Sequence, residues 1–142
     1  MTDLLAILLR IAGVGLILLA ALHLPIGRRL GWKEDCKQLT PANEAIFHVH
    51  TFFICLVLVI MGLPCLLDPA IFLIPTRAGA WIAWSFAAFW ACRLYFQWFV
   101  YPAALWRDKS LETALHACFT VIWFALTALF AACAALQAGW LH

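Results

Sequence analysis

Between Glu44 and Leu66 the chain reads EAIFHVHTFFICLVLVIMGLPCL. Beyond Thr51 this stretch carries no charged side chain, and the run 44–66 as a whole is long enough to cross a bilayer, which takes about 20 apolar residues in a helix. Thr40 and Pro41 stand just before it, an N-cap followed by proline at the first helical position, which marks a helix start. Its opening turns hold Glu44, His48 and His50, ionisable side chains at the edge of an apolar run. One segment therefore poses both the fold and the candidate site.

Working outward, three more apolar runs of similar size lie near residues 4–25, 78–101 and 111–136. Pro25 reads as the stop of the first, Asp68-Pro69 and Pro75 as turn formers in the second connection, and Ser110 as an N-cap for the last helix. Composition agrees: of 142 residues 67% are hydrophobic and 11% charged, with a mean hydropathy of +0.99. A soluble domain carries roughly 25% charged residues, so a soluble enzyme, a disordered chain, a disulfide scaffold and a nucleic-acid binder are excluded. The expectation is all-α: an integral membrane antiparallel four-helix bundle forming a single transmembrane domain over residues 1–142. The bilayer is then its first partner.

Basic residues in short loops stay on the cytoplasmic side. The first and third connections hold Arg28, Arg29, Lys33, Lys37, Arg107 and Lys109, whereas the second holds Arg77 alone. Both termini are therefore expected to be non-cytoplasmic. Met1-Thr2-Asp3 lacks the basic start of a signal peptide, so the first run is expected to be retained. Trp32, Trp98 and Trp106 fall at one predicted interface and Trp81, Trp84 and Trp140 at the other, as aromatic belts do. Arg10, about two turns inside the first helix, is expected to snorkel outward or to pair with Asp3 or Asp68.

The six cysteines form no C-x-x-C pair, and most lie inside apolar runs, where they read as small hydrophobes. Cys65 and Cys133, near one membrane face, could bridge. Cys36 is the cysteine expected to be exposed in a cytoplasmic loop, with no charge pattern that would make it a nucleophile.

Placed by depth, the polar side chains gather. His23 ends the first helix, Glu44 and His48 open the second, Arg93 and Gln97 approach the end of the third with Tyr101 beyond, and Glu112 and His116 open the fourth. In an up-down bundle these ends share one leaflet. Residues four apart stand on one helix face, which pairs Glu44 with His48, Arg93 with Gln97 and Glu112 with His116. Because a charge facing lipid costs roughly 2.5–3.5 kcal/mol at a helix centre, the three stripes are expected to turn inward as a buried polar network. Arg93 keeps its charge, and an ion pair with Glu112 or Glu44 is the expected partner. The near-repeat of Glu44-Ala45-Ile46-Phe47-His48 in Glu112-Thr113-Ala114-Leu115-His116 matches two residues in five, a pattern parallel internal repeats can leave.

Three kinds of chemistry fit such a layer. His48 and His116, with Glu44 and Glu112, could hold haem or a transition metal, since imidazole suits iron, copper and zinc. Intramembrane His, Glu and Arg also serve proton relays and transport, which four short helices would support only as an oligomer. The third is a binding or assembly subunit, working as a homo-oligomer or within a larger membrane complex. In it the layer fixes the helices, and Arg28, Arg29, Lys33, Lys37, Trp32 and Trp106 meet lipid headgroups. No catalytic set stands out.

Three strings, Arg29-Leu30-Gly31-Trp32-Lys33-Glu34-Asp35, Leu39-Thr40-Pro41-Ala42-Asn43 and Arg93-Leu94-Tyr95-Phe96-Gln97-Trp98-Phe99-Val100-Tyr101, resemble an uncharacterised family of small bacterial four-helix membrane proteins. The resemblance implies the four-span topology and a bacterial inner membrane, and supplies no reaction. The family pattern has a basic residue after the loop Asn and an aromatic near His48. The departures here, Glu44 and the histidines, leave Arg93, Gln97 and His116 as the residues the resemblance favours.

Overall fold

Pro25 does not end the first helix. In the computed structural model, which describes residues 1–141, α1 runs Thr2–Arg29 with Pro25 inside it. Proline removes one backbone N–H, and the turn beyond it is still held, with Leu30 N donating to Ile26 O at 2.9 Å. The stop is Gly31, whose φ of 69° is the left-handed conformation glycine adopts at helix C-termini. Arg28 and Arg29 in the last turn complement the helix dipole.

A short helix, α2 (Trp32–Cys36), leads to α3 (Pro41–Leu67), where Thr40 accepts from Asn43 N at 3.4 Å as expected of the N-cap. α3 also continues through a proline, Pro64, and ends at Asp68. α4 (Ala70–Leu73) precedes α5 (Arg77–Phe99), whose N-cap Thr76 accepts from Gly79 N at 2.9 Å. A 3₁₀ turn, Ala103–Leu105, leads to α6 (Ser110–Gln137). The expected cap of α6 is displaced: extended Lys109 is the capping residue and makes no side-chain cap bond, and Ser110 is already helical. The hydroxyl that fastens this helix start is Thr113, donating to Trp106 O at 2.8 Å.

α1, α3 and α6 are each long and apolar enough to cross a membrane, so the chain is a multi-pass membrane protein. Leu4, Ile11, Phe52, Ile60, Val121 and Phe124 expose large apolar side chains on these helices, suited to lipid contact. α5 has the length, 23 residues, but its arginines, Ser85, Gln97 and four tryptophans make it less apolar, and it is not among the three.

The chain divides into two compact units, one formed by Leu9–Pro69 and the other by Met1–Leu8 with the residues from Ala70 onward. In the first, α1 and α3 touch at Gly13 and Gly62; a Cβ on Gly13 would lie 2.7 Å from Gly62 O. Small residues at a crossing let membrane helices approach closely, where packing and not the hydrophobic effect holds them. At the loop, Trp32 meets Phe47 edge-on at 5.4 Å.

In the second unit α5 and α6 pair antiparallel along their whole length. Gln97 meets His116, Trp90 stacks on Trp123, Phe86 meets Phe130, and Gln137 reaches Thr76, so partners advance in opposite directions. Phe72 of α4 completes an aromatic cluster with Phe86 and Phe130, each at 5.6 Å. At that end Gln137 accepts from Thr76 N at 2.8 Å and donates to Ile71 O at 3.1 Å, latching the α4–α5 turn to α6. Gly79 leaves room for this latch, since a Cβ there would lie 2.5 Å from Ile71 O and 2.6 Å from Gln137 Nε2.

Gly13→Ala and Gly79→Ala should each destabilise the protein. Overpacking costs about 1–3 kcal/mol, against at most about 1 kcal/mol gained from alanine's helix propensity. Unfolding in mixed micelles checks this, and an alanine variant as stable as wild type would show that the backbones are not in close contact.

Candidate functional site

Arg93 and Gln97 lie one turn apart on α5, and the first consequence of that spacing is a hydrogen bond from Arg93 Nη1 to Gln97 Oε1 at 3.2 Å. A guanidinium has only donors, so it dictates which end of the amide faces it. The amide nitrogen is turned the other way, 2.7 Å from His116 Nδ1 on α6. An amide NH₂ can only donate, so Nδ1 must accept, and the ring proton sits on Nε2. Arg93, Gln97 and His116 thus form one directed chain of donors across the α5–α6 seam. Gln97 at its centre is 5% exposed and is the buried polar residue of the described chain.

Aromatic rings enclose the chain. Trp106 stacks on the His116 ring at 3.8 Å and 13°, held by the Thr113 bond to its carbonyl. The Arg93 guanidinium lies over two rings, Trp123 at 5.0 Å and Tyr101 at 5.4 Å. A cation over an aromatic face gains about 0.5–1 kcal/mol when exposed and about 2 when desolvated. Trp123 also stacks on Trp90 at 5.0 Å and on Phe119 at 5.4 Å. The indole N–H groups of Trp90 and Trp123 are buried without an acceptor among the described residues, so this stack is held by ring contact alone.

The expected ion pair is replaced by this arrangement. Glu112 is exposed, and among the described residues of its unit no carboxylate pairs with Arg93. Desolvating a carboxylate is costly, and in its place an amide and two π faces contact the guanidinium. Glu44 and His48, in the other unit, face each other at 3.9 Å, with His48 exposed and Glu44 half-buried. His23 Nδ1 donates to Leu19 O at 2.8 Å and His50 Nδ1 to Ile46 O at 2.8 Å, each ring folded back on its own helix. Of the expected network, Arg93, Gln97, His116 and Tyr101 are brought together.

As ligands, the histidines differ. A metal-bound imidazole donates its second N–H to an acceptor; His116 instead receives a donor at Nδ1 and carries its proton on Nε2, the nitrogen a metal would need. Switching the tautomer would set Nδ1–H against the Gln97 amide N–H. No group of three or more His, Cys, Asp or Glu among the described residues could hold a metal ion.

The residues assigned to headgroups sit at loop ends. Arg28, Arg29 and Lys33 are exposed, while Lys37 pairs with Glu34 at 2.8 Å. Trp32 is half-buried, against Phe47, and Trp106 is drawn into the site itself. Arg10 is exposed. Two tryptophans of the opposite end, Trp84 and Trp140, meet at 6.1 Å. Sequence reasoning missed the role of Trp106, for which its position ten residues before His116 is no signal, and the Gln137 latch. Cys133 is a buried free thiol. Cys36 is buried, contrary to expectation, and burial first, then the carboxylates of Glu44 and Asp35, raise its thiol above the usual range.

Comparison with known proteins finds no matching family, no curated relative and no solved structure of similar fold.

Two outcomes follow from these geometries. Cys36 should react with maleimide more slowly at pH 7 than a free cysteine peptide, because a raised pKa leaves less thiolate, and its rate should still climb with pH where the peptide's has levelled. Nitrogen-15 NMR should find His116 Nδ1 unprotonated and Nε2 protonated. Gln97→Glu, which offers only acceptors, should place a proton on Nδ1; an unchanged spectrum would disprove the Gln97 contact.

Proposed function

We propose that the chain is a four-span protein of a bacterial inner membrane, acting as a binding or assembly subunit whose Arg93–Gln97–His116 chain fastens α5 to α6. The observation that carries this reading is the direction of that chain. The Gln97 oxygen and His116 Nδ1 each accept a donor from within the chain, which suits a fastening and opposes the haem or metal reading for His116. The relay reading gains no support from the far half of the seam. There Thr127 donates to Trp123 O at 2.8 Å and Gln137 is occupied in its latch, so both polar groups are committed.

The fourth span rests on the pairing of α5. It lies along a spanning helix from the level of His116 to that of Gln137, and at 1.5 Å per residue it is about 35 Å long. A helix packed for that length against a spanning one crosses with it. The basic residues of the first and third connections then favour placing both loops in the cytoplasm and both termini outside. The resemblance of Arg29–Asp35 and Arg93–Tyr101 to small bacterial membrane proteins agrees with that setting.

Two measurements test the reading. Alkaline phosphatase fused to the C-terminus should be active, and fused after Lys109 inactive; the reverse pattern would overturn the topology. The absorption spectrum of the detergent-purified protein, oxidised and then reduced, with metal analysis, should give no signal that depends on His116. A Soret band or stoichiometric metal lost in His116→Ala would make the site a redox or metal centre.

A further inference from the structure

Arg93 is a permanent cation about 9 Å inside the end of α5, half-buried, and without a carboxylate partner among the described residues of its unit. It spends one donor on Gln97. Trp123 covers it from α6, and its contacts with Gln97 and Tyr101 lie on the C-terminal side of its own Cα, toward the helix end. That is the direction of snorkelling, and it brings the guanidinium to the negative pole of α5, whose last turn holds no basic residue of its own. Neither the dipole nor two π faces neutralises a full charge.

The surroundings are those of an anion site at a membrane face. Tyr101 places its ring beside the guanidinium, and its hydroxyl is a further donor. His116, held by Gln97 as the Nε2–H tautomer, has one donor unspent. Arg107 and Lys109 flank the stacked Trp106 and stand exposed in the same connection. The carboxylates nearby in sequence, Asp108 and Glu112, are exposed and pair with none of these cations. Guanidinium groups meet phosphate oxygens with paired N–H donors, a geometry ammonium lacks.

We infer that this end of the α5–α6 seam binds a phosphate oxyanion, supplied by an anionic phospholipid of the adjoining leaflet, with Arg93 as the central contact. The inference rests on the four-span reading above, which puts Arg93 at headgroup depth. It goes further in naming the ligand of the same site. The exposed basic residues of the loop add attraction, but Arg93, oriented by Gln97 and bracketed by Tyr101 and Trp123, supplies the selectivity.

The test uses the full chain extracted from liposomes of equal phosphatidylglycerol and phosphatidylcholine, with the retained lipid counted by native mass spectrometry. Wild type should favour phosphatidylglycerol by about fivefold or more, the worth of a single basic contact near a membrane surface. Arg93→Gln should abolish that preference, and Arg93→Lys should restore part of it. The double variant Arg107→Ala/Lys109→Ala, which leaves the seam intact, should keep most of it, so the proposal stays testable even if Arg93→Gln does not fold. No preference in wild type, or one that survives Arg93→Gln, overturns the site, and loss in the double variant reassigns it to loop charge. Inorganic phosphate that displaces the lipid would overturn the lipid as its source. The wild-type His116 nitrogen spectrum reads the fastening separately: Nδ1 unprotonated with no lipid preference refutes this inference alone, and Nδ1 protonated refutes the fastening beneath it.

Discussion

A guanidinium that can only donate orders the polar end of the α5–α6 seam. Arg93 cannot lose its proton, and in a medium without water each polar group must find its partner within the protein or at the membrane face. By facing Gln97 it fixes the amide, and the amide fixes the tautomer of His116 on the next helix. Three side chains thus hold one orientation because the first has no alternative. A lysine at the same position, with a freely rotating ammonium, would deliver charge without imposing this plane.

The rest of the seam uses packing where this end uses direction. Below the polar chain lie the Trp90–Trp123–Phe119 stack and then the Phe72, Phe86 and Phe130 cluster, with the Gln137 latch at the far end. Between membrane helices apolar burial contributes little, since lipid tails are as apolar as leucine. Ring stacking, small residues at close approaches and a few directed hydrogen bonds must do the joining. The middle of the seam is held by shape, at the cost of two buried indole N–H groups, of Trp90 and Trp123, that find no acceptor among the described residues.

Much of this is legible in the sequence. Apolar runs about twenty residues long declare themselves by composition, and Thr40-Pro41 marked its helix start because capping is local chemistry. The boundaries that failed were those where tertiary context prevails. Pro25 read as a stop, yet the helix continues, because the next turn still closes its own hydrogen bond and Gly31 supplies a better stop. Ser110 read as a cap, yet Thr113 took over the anchoring by reaching Trp106. On the site, the four-residue spacing of Arg93 and Gln97 foretold their contact. Nothing in one dimension showed that the guanidinium would choose an amide and two rings over a carboxylate.

The two Glu/His pairs make the same point from identical letters. At residues 44 and 48 the partners face each other along their own helix, 3.9 Å apart, with the imidazole exposed. At 112 and 116 the spacing is the same and the pair again lies in the opening turns of its helix, yet His116 turns across the seam to Gln97 and under Trp106, leaving Glu112 exposed. Spacing on a single helix offers a side chain a local partner at low cost, and a neighbouring helix can outbid it with a shorter, better directed one. The near-repeat therefore does not carry a shared role from one hairpin to the other. What distinguishes His116 from His48 is supplied by Gln97 on α5, one residue on another helix.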